Sequence, residues 1–380
     1  MDFSLDEDLV SLADLARTIF DDLATTDRVR EVETSQTRID APLWGALGEA
    51  GLIGLPVPEE HDGAGLGLDA LCVVLEEQGR HVAPVPLWSA GVAALVLARF
   101  GTGQQRADLL PDLASGASRT TLALEEYDGA EPSAPLATAR KEGDGWRVTG
   151  TKAVVPSLTG ADHVLVSATA EAGPGLFLVA LDGAGAGDGV SSTLSETTSW
   201  DLAGELVLDD APATAVGTPG DRALAVTLRT AAIALAALQV GVADGAMRLA
   251  ASYLSEREQF GRPLGTFQAV QHQLADCFID IDAMRVTLWQ ALVADADDPL
   301  GAEPGGVAER AALVAKWWCD KGGLDVVHRT QHVHGGIGVD TDYPVHRHFL
   351  LGKQVSATLG GEHAALASLG DLIATTEVAS

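Results

Sequence analysis

The sequence predicts an α+β fold, mainly α, in three parts: a helical N-terminal region, a central sheet or barrel, and a C-terminal four-helix bundle. Two changes of apolar period carry that prediction. Near Arg119 a three- and four-residue spacing gives way to short apolar runs bounded by turns, and near Asp221 the helical spacing returns over much longer segments. The regions are 1–118, 119–220 and 221–380. A chain of 380 residues is long enough for such a division, since single cores stop growing at roughly 250–300 residues.

In the first region, "LDEDLVSLADLARTIFDDL" (Leu5–Leu23), "DALCVVLEEQGR" (Asp69–Arg80) and "SAGVAALVLARFG" (Ser89–Gly101) read as helices, with "GLIGLPVPEEHDGAGLGL" as punctuation between them. In the second, "GWRVTGTKAVVP", "ADHVLVSA", "GLFLVALD" and "GELVLDD" read as strands, and "DGAGAGDG" (Asp182–Gly189) as a surface loop. In the third, Arg222–Arg257, Thr266–Ala296, Val307–His334 and Pro344–Thr375 read as four long helices, the first free of proline and dense in Ala and Leu.

Charge excludes several partners. With 24 Lys+Arg against 54 Asp+Glu the formal charge is −30, spread along the chain, which repels phosphate backbones and anionic membranes and argues against nucleic-acid and membrane binding. The longest charge-free stretches, Val82–Ala98 and Thr230–Ala243, are shorter than the ~20 residues of a membrane span. Cys72, Cys277 and Cys319 are odd in number and far apart, so no disulfide framework or CxxC site is implied. The start, "MDFSLDEDLV", lacks the basic and apolar segments of a signal peptide, and a cytoplasmic protein is expected.

Metal and hydrolase chemistry are poorly represented. His332 with His334, and His346 with His348, are spaced i,i+2 and project from different sides of a helix; no HExxH, Cys-rich or GxSxG motif accompanies them. "GAGLG" (Gly63–Gly67) has no preceding strand and reads as a turn. Two stretches remain. In "REQFGRPLGTFQ", Arg257 ends a helix, a Gly-Arg-Pro break turns the chain, and Phe267-Gln268 opens the next helix, which unites an arginine fork and a helix N-terminus as an anion site. In "QHVHGGIG" (Gln331–Gly338) a helix ends in paired glycines that let a ligand approach bare backbone.

These two motifs, "EREQFGRPLGTFQAVQHQLAD" and the "HVHGGIG" that follows it, resemble the C-terminal domain of the acyl-CoA dehydrogenase family. "LWGALGEAGLIGLPVPEEHDGAGLGLDALCVVLEEQGR" is similar to its N-terminal helical domain and "GWRVTGTKAVVPSLTGADHVLVSA" to its central β-barrel domain. The resemblance implies FAD-dependent α,β-dehydrogenation of an acyl-CoA thioester, with electrons passed on to an electron-transfer acceptor. It implies that Arg257, Gln259, Phe260, Phe267 and Gln268, with His332, Gly335 and Gly336, bind the diphosphate and adenine of a neighbouring subunit's FAD.

The sequence departs from the family where the flavin ring and the proton are handled. In "LALEEYDGAEPSAPLATAR", Glu125 and Tyr127 stand where the family's TEPxAGS run has threonine and proline; in "AVVPSL" (Ala153–Leu158) the usual aromatic is missing and Pro156 intrudes. The catalytic glutamate's place falls at Leu359, its alternative place near Ala231, and His332 replaces a glutamine. No catalytic residue is therefore assigned. The one-sided loss resembles the subunit of an α2β2 heterotetramer that completes its partner's FAD site, an arrangement known in family members acting on steroid side-chain CoA thioesters. Two alternatives remain at this point: a homotetrameric dehydrogenase with a displaced base at Glu362, and a flavin-free CoA-thioester lyase or scaffold of the same fold.

Overall fold

The structure is a computed structural model that describes residues 5–127, 129, 131–183 and 185–378. Residues 1–4 of the acidic start, Ala184 of the Gly/Ala stretch, and Asp128 and Ala130 of the departing flavin-side segment lie outside the described residues.

Six helices open the chain: α1 (Glu7–Leu23), α2 (Thr26–Val32), α3 (Ala41–Glu49), α4 (Leu68–His81), α5 (Leu87–Phe100) and α6 (Gly103–Ser115). Their starts are written locally. Asp6 accepts from Leu9 N–H, Asp40 from Leu43 N–H, and Thr102 forms a reciprocal capping box with Gln105. α1 buries Ala13, Ala16 and Phe20, the three-and-four spacing of its apolar stripe.

Seven strands follow: β1 (Thr120–Ala123), β2 (Thr138–Glu142), β3 (Gly145–Pro156), β4 (His163–Ala170), β5 (Gly173–Ala180), β6 (Val190–Glu196) and β7 (Leu202–Val216). β4, β5, β7, β3 and β2 pair in turn, and β2 returns to β4 through Thr138 and Thr169, so the ring closes into a barrel. β1 lies parallel on β4, and β6 antiparallel on β7. Fully buried Lys152 sits among the strands with its Nζ 2.6 Å from Glu126 Oε1 and 2.9 Å from Ser167 Oγ. The sequence reading found four of these strands and missed β1, β2 and β6. It also stopped the last strand short: β7 runs from Leu202 to Val216 because three partners, β3, β5 and β6, use it along its length.

Most of the remainder is helical: α7 (Ala223–Glu256), α8 (Gln268–Asp297), α9 (Val307–His334), α10 (Val345–Ala357) and α11 (Gly361–Val378). α7 is long and apolar enough to cross a membrane by length and composition, yet 89% of its most apolar window is buried inside the protein. Two glycines permit its close crossing with α4: a Cβ on Gly79 would meet the Leu238 carbonyl oxygen, and one on Gly241 the Glu76 carbonyl oxygen. The single helix expected over Pro344–Thr375 is instead two. Leu359, Gly360 and Gly361 all take positive φ (59°, 86° and 68°), and the chain breaks between α10 and α11 there.

The cores do not follow the sequence regions one for one. The barrel has its own apolar cluster around Val148, Val166, Phe177 and Leu206, whereas Phe20, Leu47, Leu71 and Val96 of the first helices share one continuous cluster with Ile233, Met284 and Cys319 of the later ones.

Candidate functional site

A cavity of about 550 Å³ opens where the barrel, the first helices and the bundle meet. Leu124 and Val154 line it from the barrel side, Trp88 from α5, Leu238 from α7, and Leu351 and Val355 from α10. At its rim Arg38 pairs with Glu196, Arg347 grips Glu33 with two nitrogens at 2.6 and 2.9 Å, and Gln354 Oε1 accepts from Ser199 N–H at 2.9 Å.

No side chain with base character stands where the sequence comparison places the base. Leu359 lines the cavity, and Ala231 is buried in α7 away from its walls. Glu362 is also outside the lining; its carboxylate is partly exposed and 3.6 Å from His363. Glu33, Glu125, Glu196 and Asp201 line the cavity, and Glu125 Oε1 accepts from Leu359 N–H at 2.9 Å. Burial pushes Glu125 above the usual carboxylate range, opposed by that hydrogen bond and by the charge of Lys316. Beneath it on α9, buried Lys316 pairs with Asp320, whose carboxyl burial raises to about 7 against the lysine's pull.

The second group of residues is on the outside. α7 ends at Arg257, and β8 (Glu258–Gln259) and β9 (Arg262–Pro263) form a two-residue hairpin whose turn, Phe260-Gly261, has φ of 55° and 77°. Both values are positive, as a type I′ turn requires. Phe260 is 92% exposed, edge-on to Phe267 at 6.1 Å, and the Arg262 guanidinium lies 4.0 Å over the Phe267 ring. Arg28, Arg80, Arg229 and Arg347 are held by carboxylates, but among the described residues the side chains of Arg257 and Gln259 have no partner. Phe267 caps α8 and Gln268 begins it, its amide 3.5 Å from His272.

The glycine motif lies at the end of α9. Gly335 has φ 65° and ends the helix; a Cβ on either Gly335 or Gly336 would meet nothing within 4 Å, so bare backbone faces open space. His332 is exposed. The two motifs are joined through Tyr253, one turn before Arg257, which stacks on His334 at 4.8 Å, while Tyr343 O–H lies 3.3 Å from His334 Nε2. Hairpin and glycine turn are thus tied at one end of the bundle, and Arg257, Gln259, Phe260 and Gln268 are presented outward with Gly335 and Gly336. Sequence reasoning missed Tyr253, for which an aromatic at i−4 from Arg257 was the available signal, and noticed Arg262 in the Gly-Arg-Pro break without assigning it to the site.

The other histidines are structural by their partners: His334 Nδ1 is 2.6 Å from Thr330 O, His346 Nδ1 2.6 Å from Tyr343 O, and His348 Nε2 3.0 Å from Arg80 O. Among the described residues no group of three or more His, Cys, Asp or Glu is placed to hold a metal. The three cysteines are buried and unbridged.

Tested against the FAD the sequence implies, the two places differ. Unpartnered outward donors beside open glycine backbone suit a diphosphate and adenine held by another subunit. The cavity of this chain does not suit the flavin ring: a buried carboxylate occupies its donor at Leu359, and Pro156 ends β3 on its wall.

This architecture of helices, closed barrel and helical bundle is that of the acyl-CoA dehydrogenases, and the chain belongs to that family: residues 6–117 match the acyl-CoA dehydrogenase N-terminal domain and 220–367 the C-terminal domain. Its particular relatives include acyl-CoA dehydrogenase FadE27 of Mycobacterium tuberculosis (strain ATCC 25618 / H37Rv), 38% identical, with 99% of this chain and 100% of that one covered. Among solved structures it resembles a chain of a single-substitution variant of the Tcur3481-Tcur3483 steroid ACAD, with TM-score 0.93, 60% identity and coverage of 99% and 100%. It also resembles a chain of the ChsE4-ChsE5 complex of Mycobacterium tuberculosis, with TM-score 0.90, 35% identity and coverage of 98% and 99%.

Proposed function

We propose that this chain is the subunit of a heteromeric, FAD-dependent acyl-CoA dehydrogenase that completes a homologous partner's cofactor site and carries no proton-abstracting base itself. The observation that carries this reading is the contrast just described: Leu359 and Ala231 at the places for a base, against unpartnered Arg257 and Gln259 turned outward beside Gly335 and Gly336. The family's members are FAD-dependent, and the bound flavin would accept the hydride from the acyl β carbon. In this chain the Arg257 guanidinium would donate to the diphosphate, Gln259 and Gln268 would add donors, Phe260, Phe267 and His332 would hold the nucleotide, and Gly335 and Gly336 would let it approach the backbone. Excluding water from the thioester falls to the apolar walls of the assembled cleft.

Two relatives are described as assemblies of two named proteins, one of them a steroid ACAD, which supports an α2β2 organisation and a steroid side-chain CoA thioester as substrate. An electron-transfer acceptor, a cytoplasmic location and domains at 1–118, 119–220 and 221–380 belong to the same reading. The homotetrameric alternative with Glu362 as base is disfavoured, because that carboxylate stands outside the cavity.

Co-expression with a homologous subunit, followed by flavin and protein quantitation, tests the proposal. The expected tetramer carries two FAD for four chains. One FAD for every copy of every chain overturns it.

A further inference from the structure

The cavity of this chain holds its own acceptor. Leu359 sits in the left-handed region (φ 59°, ψ 37°), which turns its N–H away from the helical ladder and toward the cavity, where Glu125 Oε1 takes it at 2.9 Å. The carboxylate reaches this point from the barrel. Glu125 bridges Val154 of β3, its carbonyl accepts Ala153 N–H at 2.9 Å, and its side chain crosses to a residue 234 positions later in the chain. Gly360 and Gly361 hold the following backbone in positive φ, so the orientation of the N–H is built into the break between α10 and α11.

A backbone N–H on the wall of a cavity lined partly by apolar side chains is the kind of donor that orients a ligand carbonyl, because away from bulk water one well-placed hydrogen bond outweighs its value in water. Here that donor is taken. We infer that Glu125 is an internal plug: its carboxylate stands in for the carbonyl of an acyl thioester at Leu359 N–H and keeps this chain's own cleft closed to acyl-CoA and to the flavin ring. The inference rests on the subunit reading above and assigns one residue to the inequivalence of the two subunits' clefts. Burial raises the carboxyl toward its neutral form, and neutral or charged it still presents an acceptor to Leu359. Lys316, whose charge favours the carboxylate, is itself engaged by Asp320 and leaves Glu125 to the backbone donor.

Substitutions at Glu125 that remove its charge differ in whether they leave an acceptor at Leu359 N–H. Glu125→Ala and Glu125→Thr withdraw the acceptor from Leu359, whereas Glu125→Gln removes the charge and keeps an amide oxygen that reaches the same N–H. Octanoyl-CoA binding to the full chain, by equilibrium dialysis, is expected to tighten roughly tenfold in Glu125→Ala and Glu125→Thr, the worth of one hydrogen bond that no longer has to be displaced. Glu125→Gln is expected to stay within about threefold of wild type, because its donor remains engaged. Far-UV circular dichroism shows which variants are folded, and the threonine variant carries the test if the alanine variant is not. No gain in a folded Ala or Thr variant overturns the inference, as does an equal gain in Glu125→Gln. Flavin content of the wild-type chain distinguishes the two failures: a wild type that retains one FAD by itself overturns the subunit reading as well, whereas a flavin-free wild type with no gain in the variants overturns the plug alone.

Discussion

His348 shows how much a single buried side chain commits the molecule to a pH range. Burial drives its imidazole from the ordinary 6.5 down to about 4, opposed by backbone hydrogen bonds that include the Arg80 carbonyl. The unfolded chain therefore takes up a proton between pH 6.5 and 4 that the folded chain refuses, and stability from this group is lost as pH falls through that window. Its magnitude is on the order of 3 kcal/mol. Glu76, raised to about 6, and Asp320, raised to about 7, act with the opposite sign, since the folded state holds their protons more tightly and their effect falls on stability as pH rises. The prediction is thus a difference between two proteins. In urea titrations, His348→Gln is expected to be less stable than wild type at pH 7 and to lose markedly less stability than wild type between pH 6.5 and 4; parallel pH profiles would show that the imidazole does not charge on unfolding.

Among elements, the hairpin between α7 and α8 is one whose local chemistry disagrees with its own stability. A type I′ turn favours Asn-Gly, and a phenylalanine at φ 55° is held in a conformation that costs about 1 kcal/mol. Its ring is 92% exposed and meets only the edge of Phe267. Phe260→Asn is expected to raise the thermal midpoint of the chain purified alone, by about 1 kcal/mol of stability, and to reduce FAD retention in the assembled complex. A variant that loses stability alone while retaining flavin in the complex would place the role of Phe260 inside this chain. Legibility also varies by element. α9 could be read to its ends because Gly306 and Gly335 bracket an uninterrupted helical pattern. β2 and β6 could not: "TARKE" and "VSSTLSE" are polar and mostly exposed, and gain strand character only from β3 and β7 beside them. The break at Leu359–Gly361 was signalled only by the paired Gly360-Gly361, and the helical pattern on both sides carried the expected helix across it. The outward motif around Arg257 stood out by its donors in an acidic chain, whereas the bond from Glu125 to Leu359 joins positions 234 apart and has no local signature.

For the whole molecule, the continuous core matters more than the regions read from the sequence. Leu71 and Val74 of α4 belong to the same apolar cluster as Ile233 and Ala237 of α7, and the Gly79 and Gly241 crossing brings the two helices into close approach. A fragment of residues 1–118 is therefore expected to lack a cooperative thermal transition, since its helices would expose the face that α7 covers, while a fragment of residues 119–220 keeps its own core and is expected to melt cooperatively. Calorimetry of the two fragments checks this; a sharp transition in the first would show that the early helices are self-sufficient.

The same shared core sets a schedule for the protein as it is made. α4 leaves the ribosome well before α7 exists, with the whole barrel to be synthesised in between, and at 5–20 residues per second that interval lasts roughly ten to thirty seconds. The barrel can close during the wait, because its strands pair with one another around an inner apolar cluster of their own, although Leu122, Leu165 and Leu176 also pack against the helices. The first helices cannot. For that interval the face of α4 around Gly79 that α7 will cover is a nascent surface only partly covered by α1 and α5, and the yield of this chain in a cell is expected to depend on whatever shields it until α7 arrives.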